Sequence, residues 1–303
     1  MGNTFLERDQ LELMRQIPTE AIPHGTDIPV RHFQTLVDST GFSPIFMELG
    51  AGDGRKASEL REQLHALVLA RDVNPQAVET ANQMGIFAEV SDARGTEIGA
   101  WDWYSRYFYE CFTVVYAEGL LCNQRGDDWE AVLREAELYT TPTGRIFIAD
   151  VCRPEEENPL FRGAFPDEDA YISYIDLWER RLEANRIVAE QLGIPFTYGE
   201  FMVAKPGPHK TEQDWGHPDT LAKLYSSDEF ERWAQHLDSA KVIAHADSLG
   251  LTTVVNEPDV FYSRMGFPLN GRVFGFEKGP RFKVHPVFKG MTHEERKRMS
   301  GVI

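Results

Sequence analysis

Seven residues between positions 48 and 54 carry the clearest chemical signal in the chain. Glu48-Leu49-Gly50-Ala51-Gly52-Asp53-Gly54 closes a short apolar run that begins at Pro44. Glycines in such a turn tolerate positive φ and let a ligand lie directly against the backbone. A helix that follows offers its free N–H groups to the ligand's polar end. A pyrophosphate-binding turn requires G-x-G-x-x-G. Gly50 and Gly52 satisfy its first two positions, but Arg55 stands at the third. The spacing is instead E-x-G-x-G-x-G. Acids also close other apolar runs, at Asp72, Asp92 and Asp150, and Glu118 follows Tyr116 closely. A single acid there is ordinary capping or turn chemistry. A row of them beside a glycine turn points to a ligand site.

These residues need elements to position them. Apolar runs bounded by turn residues predict strands at 44–49, 67–72, 86–92, 112–116 and 144–150. Helical spacing joins them: Ala57, Leu60 and Leu64 after the first, Pro75 to Met84 after the second, and Trp129, Val132, Leu133 and Ala136 after the fourth. Alternating strands and helices imply a mostly parallel sheet with its ligand outside the carboxyl ends of the strands. Prolines 154, 159 and 166 then break the rhythm. A long helix is expected from Asp167 to Leu192. Ser226 and Glu229 form a capping-box pattern, and Trp233, Leu237, Ala240 and Ala244 continue a helix to Gly250 that would hold His236 and His245. Two last strands are expected at 251–256 and 272–276. The predicted fold is α/β, a doubly wound seven-stranded sheet with a mainly helical insertion after strand five. Residues 1–40 form an N-terminal helical segment. Residues 41–152 and 226–279 form the core, 153–225 the insertion and 280–303 a tail.

The chain has 303 residues, with 31 Lys plus Arg against 48 Asp plus Glu, a net charge of −17. Such a charge repels phosphate backbones and argues against a nucleic-acid partner. No apolar run is long enough to cross a membrane. The cysteines, Cys111, Cys122 and Cys152, are odd in number and lack CxxC spacing, which fits a reducing cytoplasm. His209, Glu212, Asp214 and His217 are capable metal ligands, but their spacing is diagnostic of no site, so no metal is expected.

The glycine turn and the ordered acids together make the sequence resemble the class I S-adenosylmethionine (SAM)-dependent methyltransferases. The resemblance rests on Glu48 to Gly54, on Asp72 within Arg71-Asp72-Val73-Asn74-Pro75, on Asp92-Ala93, and on Tyr116-Ala117-Glu118-Gly119-Leu120-Leu121. It implies a Rossmann-like fold and SAM as cofactor. It also implies a cofactor site made of Glu48, Gly50, Ala51, Gly52, Gly54, Asp72, Val73, Asp92, Ala93, Glu118 and Gly119. In that reading Asp72 accepts from the ribose hydroxyls, Asp92 accepts from the adenine amino group, and the backbone near Ala93 reads the ring. Glu48 orders the turn and reaches the amino-acid part of the cofactor. The segment after strand four is Glu-Gly-Leu-Leu, not the Asn-Pro-Pro-Tyr/Phe type of amide and base N-methyltransferases. The expected acceptor is a small molecule methylated on O, N or C. The insertion would cover it with Tyr171, Tyr174, Trp178, Phe196, Tyr198, Phe201 and Trp215. Glu118, His209 and His217 are the candidates for catalytic help. A peptide or protein acceptor and a non-catalytic SAM-binding regulator are the alternatives, and a homodimer is left open.

Overall fold

The computed structural model describes residues 45–95, 110–204, 217–225, 230–262 and 268–278. The expected segments 1–40 and 280–303 and the Ser226–Glu229 capping box lie outside them. The first half follows the predicted alternation. β1 (Ile45–Leu49) leads to α1 (Arg55–Leu64), β2 (Leu67–Asp72), α2 (Pro75–Gln83), β3 (Phe87–Val90) and β4 (Phe112–Glu118). α3 (Trp129–Tyr139) connects to β5 (Thr140–Val151). Asn74 caps α2 by accepting from the Gln76 N–H, and Pro75 occupies the first turn, where its missing N–H costs nothing.

The segment expected as an insertion opens with α4 (Pro159–Gly163) and α5 (Glu168–Leu192). Asp167 caps α5 by accepting from the Ala170 N–H at 2.8 Å. Gly193, at φ 65°, ends it in a left-handed turn. The next elements are β6 (Glu200–Ala204), α6 (Pro218–Tyr225), β7 (Phe230–Gln235), α7 (Ser239–Ser248), β8 (Leu251–Tyr262) and β9 (Pro268–Lys278).

Here the structure corrects the expected helix over 226–250. Residues 230–235 are a strand that pairs antiparallel with β6 and forms a separate two-stranded ribbon. The helix starts only at Ser239, where Asp238 accepts from the Lys241 N–H. His236 therefore lies between strand and helix, while His245 is helical as expected. Trp233 and Leu237 match helical spacing by coincidence, because the partner that makes 230–235 a strand lies some 30 residues upstream. The ribbon also crosses position 225, so the insertion holds a strand among its helices.

The main sheet has seven strands in the order β3-β2-β1-β4-β5-β9-β8. β1 to β5 run parallel to one another, while β9 is antiparallel to both β5 and β8. The common dinucleotide-binding order ends 4-5-6 with parallel strands. An antiparallel strand wedged beside β5 departs from it. Strand alternation divides the core into two layers. Met47, Leu49, Val115, Ala117, Ile146 and Ile148 face Trp129, Val132 and Leu133 of α3 and Val242 and Ala246 of α7. Phe46, Val114, Tyr116, Phe147 and Ala149 face Ala57, Leu60 and Leu64 of α1 and Ala81 of α2. Burial on both faces explains why these strands read as continuous apolar runs.

Candidate functional site

The strand order reverses at β1, which is flanked by β2 and β4. The crevice beyond the carboxyl ends of β1 and β4 is therefore where such a sheet takes a ligand. Two glycine turns meet there. Gly50, Gly52 and Gly54 have φ of 69°, 55° and 79°, and Gly119 after β4 has φ 57°. Their surroundings divide the labour. A Cβ on Gly50 would stand 2.7 Å from Leu120 Cδ1, and one on Gly54 would stand 2.6 Å from Ala81 Cβ. Those two glycines permit close packing of the turn against the β4 loop and α2. A Cβ on Gly52 or Gly119 would meet nothing within 4 Å among the described residues. Those two leave backbone that no described side chain covers.

The acids gather around this opening. The Gly52 N–H donates to Asp72 Oδ2 and the Asn74 N–H to Asp72 Oδ1, both at 2.8 Å. Asp72 thus ties the glycine turn to the end of β2. A carboxylate offers about four acceptor positions, so both oxygens keep capacity for a ligand. Burial raises the Asp72 pKa, opposed by the N–H bonds from Asn74, Gly52 and Val73. Glu48 is 3 % exposed, and its Oε2 is buried and accepts no hydrogen bond from the described residues. Its pKa is pushed well up, first by burial and then by the charge of Glu118, while Lys56 opposes the shift. Glu48 faces Tyr116 in the β1–β4 register, and the Tyr116 hydroxyl donates to Glu118 Oε2 at 2.7 Å. Glu48, Tyr116 and Glu118 therefore form one acidic cluster at the mouth of the crevice.

Asp92 and Ala93 stand just beyond β3. The Asp92 carboxylate accepts from the Arg94 N–H at 2.9 Å and from the Arg94 guanidinium at 2.7 to 3.1 Å. Arg94 also reaches Asp128 at 3.1 Å. Sequence reasoning did not anticipate this clamp, which any ligand bound at Asp92 must share. Asp150 also has a place the sequence did not reveal. It is fully buried, and its Oδ2 accepts from the Leu121 N–H at 2.7 Å. Both its oxygens lie 3.3 Å from the Cys122 nitrogen. It pins the loop that carries Gly119.

His209 and Trp215 lie outside the described residues, as do Glu212 and Asp214. His217 is exposed at the start of α6, with Nδ1 4.0 Å from Asp219. Several described aromatic residues between 153 and 225 pack into small clusters, while Tyr198 is exposed. Phe161, Phe165, Tyr171 and Tyr174 make edge contacts where α4 meets α5. Phe196 packs against Val188 and Leu221. His236 is buried against Trp178, ring on ring at 4.1 Å, with Phe201 edge-on at 4.9 Å.

Burial, and then the Arg181 and Arg153 charges, lower the His236 pKa to about 3. The folded imidazole stays neutral between pH 6.5 and 3, while the unfolded one takes a proton. His236 therefore withdraws stability as pH falls through that window. His236→Phe keeps the stack, and the loss of unfolding free energy between pH 7 and pH 4 is expected to shrink by about 3 kcal/mol. Urea unfolding at both pH values measures this; identical losses in the two proteins would refute it.

No protein-family model matches the sequence, and no curated protein does. Solved structures do. A SAM-dependent methyltransferase from Methanosarcina mazei superimposes with a TM-score of 0.56 at 12 % identity, covering 78 % of this chain and 92 % of that one. A SAM-dependent methyltransferase from Anabaena variabilis gives 0.49 at 9 % identity, covering 91 % and 97 %. A putative Zn-dependent alcohol dehydrogenase from Rhodobacter sphaeroides gives 0.49 at 13 % identity, covering 91 % and 100 %. The first likeness shows that the chain shares the Rossmann-like α/β fold of that methyltransferase.

Proposed function

We propose that the protein is a SAM-dependent methyltransferase that transfers a methyl group to an O, N or C atom of a small molecule. The observation that carries this is the crevice between β1 and β4. There Gly52 and Gly119, which follow β1 and β4, present backbone that no described residue covers within 4 Å of an added Cβ, and Glu48 and Glu118 belong to those two strands. A ligand placed there meets backbone on two sides with acids between them. That suits a cation with an ammonium group and suits a pyrophosphate badly, because the carboxylates of Asp53, Asp72 and Glu118 would repel it. The missing third glycine of the dinucleotide turn, replaced by Arg55, points the same way.

Bound SAM supplies an electrophilic methyl group on a cationic sulfur. The chain's contribution is orientation. Gly52 and Gly119 admit the cofactor close to the backbone, Glu48 accepts from its ammonium group, and Asp72 accepts from the ribose hydroxyls. Asp92 would accept from the adenine edge only in exchange for part of its Arg94 clamp, and Val73 and Ala93 lie next to these acids in the chain. Holding the acceptor in line with the methyl group is the main source of rate. Glu118, fixed by Tyr116, is the acid best placed to take a proton from an acceptor that must lose one.

Calorimetry tests the first step. SAM and S-adenosylhomocysteine are expected to bind, and Asp72→Ala is expected to weaken both by at least about tenfold, or 1.4 kcal/mol. No heat with the wild-type protein, or a preference for NAD, would sink the reading. Incubation with labelled SAM and a metabolite extract then separates turnover from binding alone. Label appearing only in protein would shift the acceptor class to polypeptide.

A further inference from the structure

The loop after β4, from Gly119 to Gly126, is held from two sides. Asp150 fixes its near end. Its far end is held by the β6–β7 ribbon, through two buried side chains that face each other across the ribbon register, Glu200 and Gln235. The Gly126 N–H donates to Glu200 Oε1 at 2.8 Å, and the Thr197 N–H donates to Glu200 Oε2 at 3.0 Å. Gln235 Nε2 donates to the carbonyls of Gly126 at 2.8 Å and Gln124 at 2.9 Å. Both backbone groups of Gly126 are thus taken by one ribbon. Glu200 is 2 % and Gln235 5 % exposed, so neither bond competes with bulk water. Arg125 adds a bond to the Pro195 carbonyl at 2.9 Å. The ribbon is itself anchored to the end of β5. The Leu237 N–H donates to the Val151 carbonyl, and the Arg153 N–H donates to the Leu237 carbonyl, both at 3.0 Å.

A buried carboxylate that accepts two backbone N–H groups, opposite an amide that donates to two carbonyls, is a strong grip. It joins segments more than 70 residues apart in sequence. On one side of the grip lies the loop that begins at Gly119, beside the crevice. On the other side lies the ribbon, packed through Phe201 against Trp178 of α5. We propose that Glu200 and Gln235 are positioning residues that couple the inserted ribbon to the cofactor crevice, so that cofactor binding orders the ribbon. The coupling rests on the methyltransferase reading, because it requires a ligand seated against Gly119. It is reciprocal by linkage, so whatever the ribbon holds tunes the cofactor's affinity equally.

Amide hydrogen exchange of the full chain, with and without saturating S-adenosylhomocysteine, tests the coupling. In the wild type the ligand is expected to slow exchange in residues 50–54 and 119–126, and also in 200–204 and 230–235. In Gln235→Leu and in the nearly isosteric Glu200→Gln, residues 50–54 are expected to keep the ligand's protection while the ribbon loses it. Affinity for S-adenosylhomocysteine is expected to fall about fivefold. A residue that merely supports the fold would leave the ribbon's response to ligand unchanged. Protection of 50–54 without any response in the wild-type ribbon, or a ribbon response that survives both substitutions, overturns the coupling alone. Failure of the wild type to bind S-adenosylhomocysteine overturns the methyltransferase reading and this inference with it.

Discussion

Gly54→Val is expected to destabilise the fold by about 3–5 kcal/mol, whereas Gly52→Ala leaves it nearly intact and removes cofactor binding. Both glycines have left-handed backbones, so any side chain costs about 1–2 kcal/mol in conformational strain. The two then diverge. At Gly54 the new Cβ would sit 2.6 Å from Ala81 Cβ and 3.1 Å from Ala81 Cα. Part of that contact is α2 backbone, which cannot rotate away, and the wider valine side chain adds overpacking. At Gly52 the added methyl meets no atom of the other described residues within 4 Å. It occupies the space into which the crevice opens, against the backbone a ligand would touch. Thermal unfolding and calorimetry with S-adenosylhomocysteine separate the two effects. Gly54→Val should lose melting temperature first. Gly52→Ala should lose at least about tenfold in affinity, or 1.4 kcal/mol, while melting within a few degrees of the wild type. Wild-type affinity in Gly52→Ala would show that the open face of the turn is not where the cofactor lies.

The contrast also shows how far the sequence could be read. The alternation of the glycines marked the turn, and Asp72 marked the strand that closes it. Both signals are local, because each residue acts on backbone within one βα unit. What stayed hidden depends on partners distant in sequence. Nothing in Gly50 or Gly54 reveals that Leu120 and Ala81 fill their missing side chains, while Gly52 faces open space. The strand character of 230–235 was invisible for the same reason. Its alternation is short, and its partner, Glu200–Ala204, lies across the α6 segment. The helical spacing from Trp233 to Ala244 therefore looked like one helix until the Asp238 cap showed where it begins. The aromatic side chains of the insertion were legible as a group, but not their division into separate clusters. Arg94 was equally hard to read: a basic residue two positions after an acid is common, and only the geometry shows it gripping Asp92.

Asp150 carries the second large effect. The sequence marked it as one strand-ending acid among several, and only its burial among backbone donors distinguishes it. Asp150→Ala leaves the buried N–H of Leu121 and that of Cys122 without their acceptor. At pH 7 this is expected to cost about 2 kcal/mol. Burial raises the Asp150 pKa from 3.8 to about 6, opposed by bonds from Cys122, Val151 and Leu121. Because the folded value lies above the unfolded one, the wild-type protein binds the extra proton in its folded state. The resulting stability is fully present below pH 3.8 and is lost as pH rises through 6. The alanine variant lacks it, so its deficit should be about 2 kcal/mol larger at pH 4.5 than at pH 7. Denaturant unfolding at the two pH values measures this difference, and an equal deficit at both would contradict a buried, proton-binding carboxyl. The same substitution should also loosen Gly119, since the N–H bonds it removes belong to the loop's first turn. Weaker S-adenosylhomocysteine binding in folded Asp150→Ala at pH 7 would then mean that the crevice depends on β5 as well as on β1 and β4.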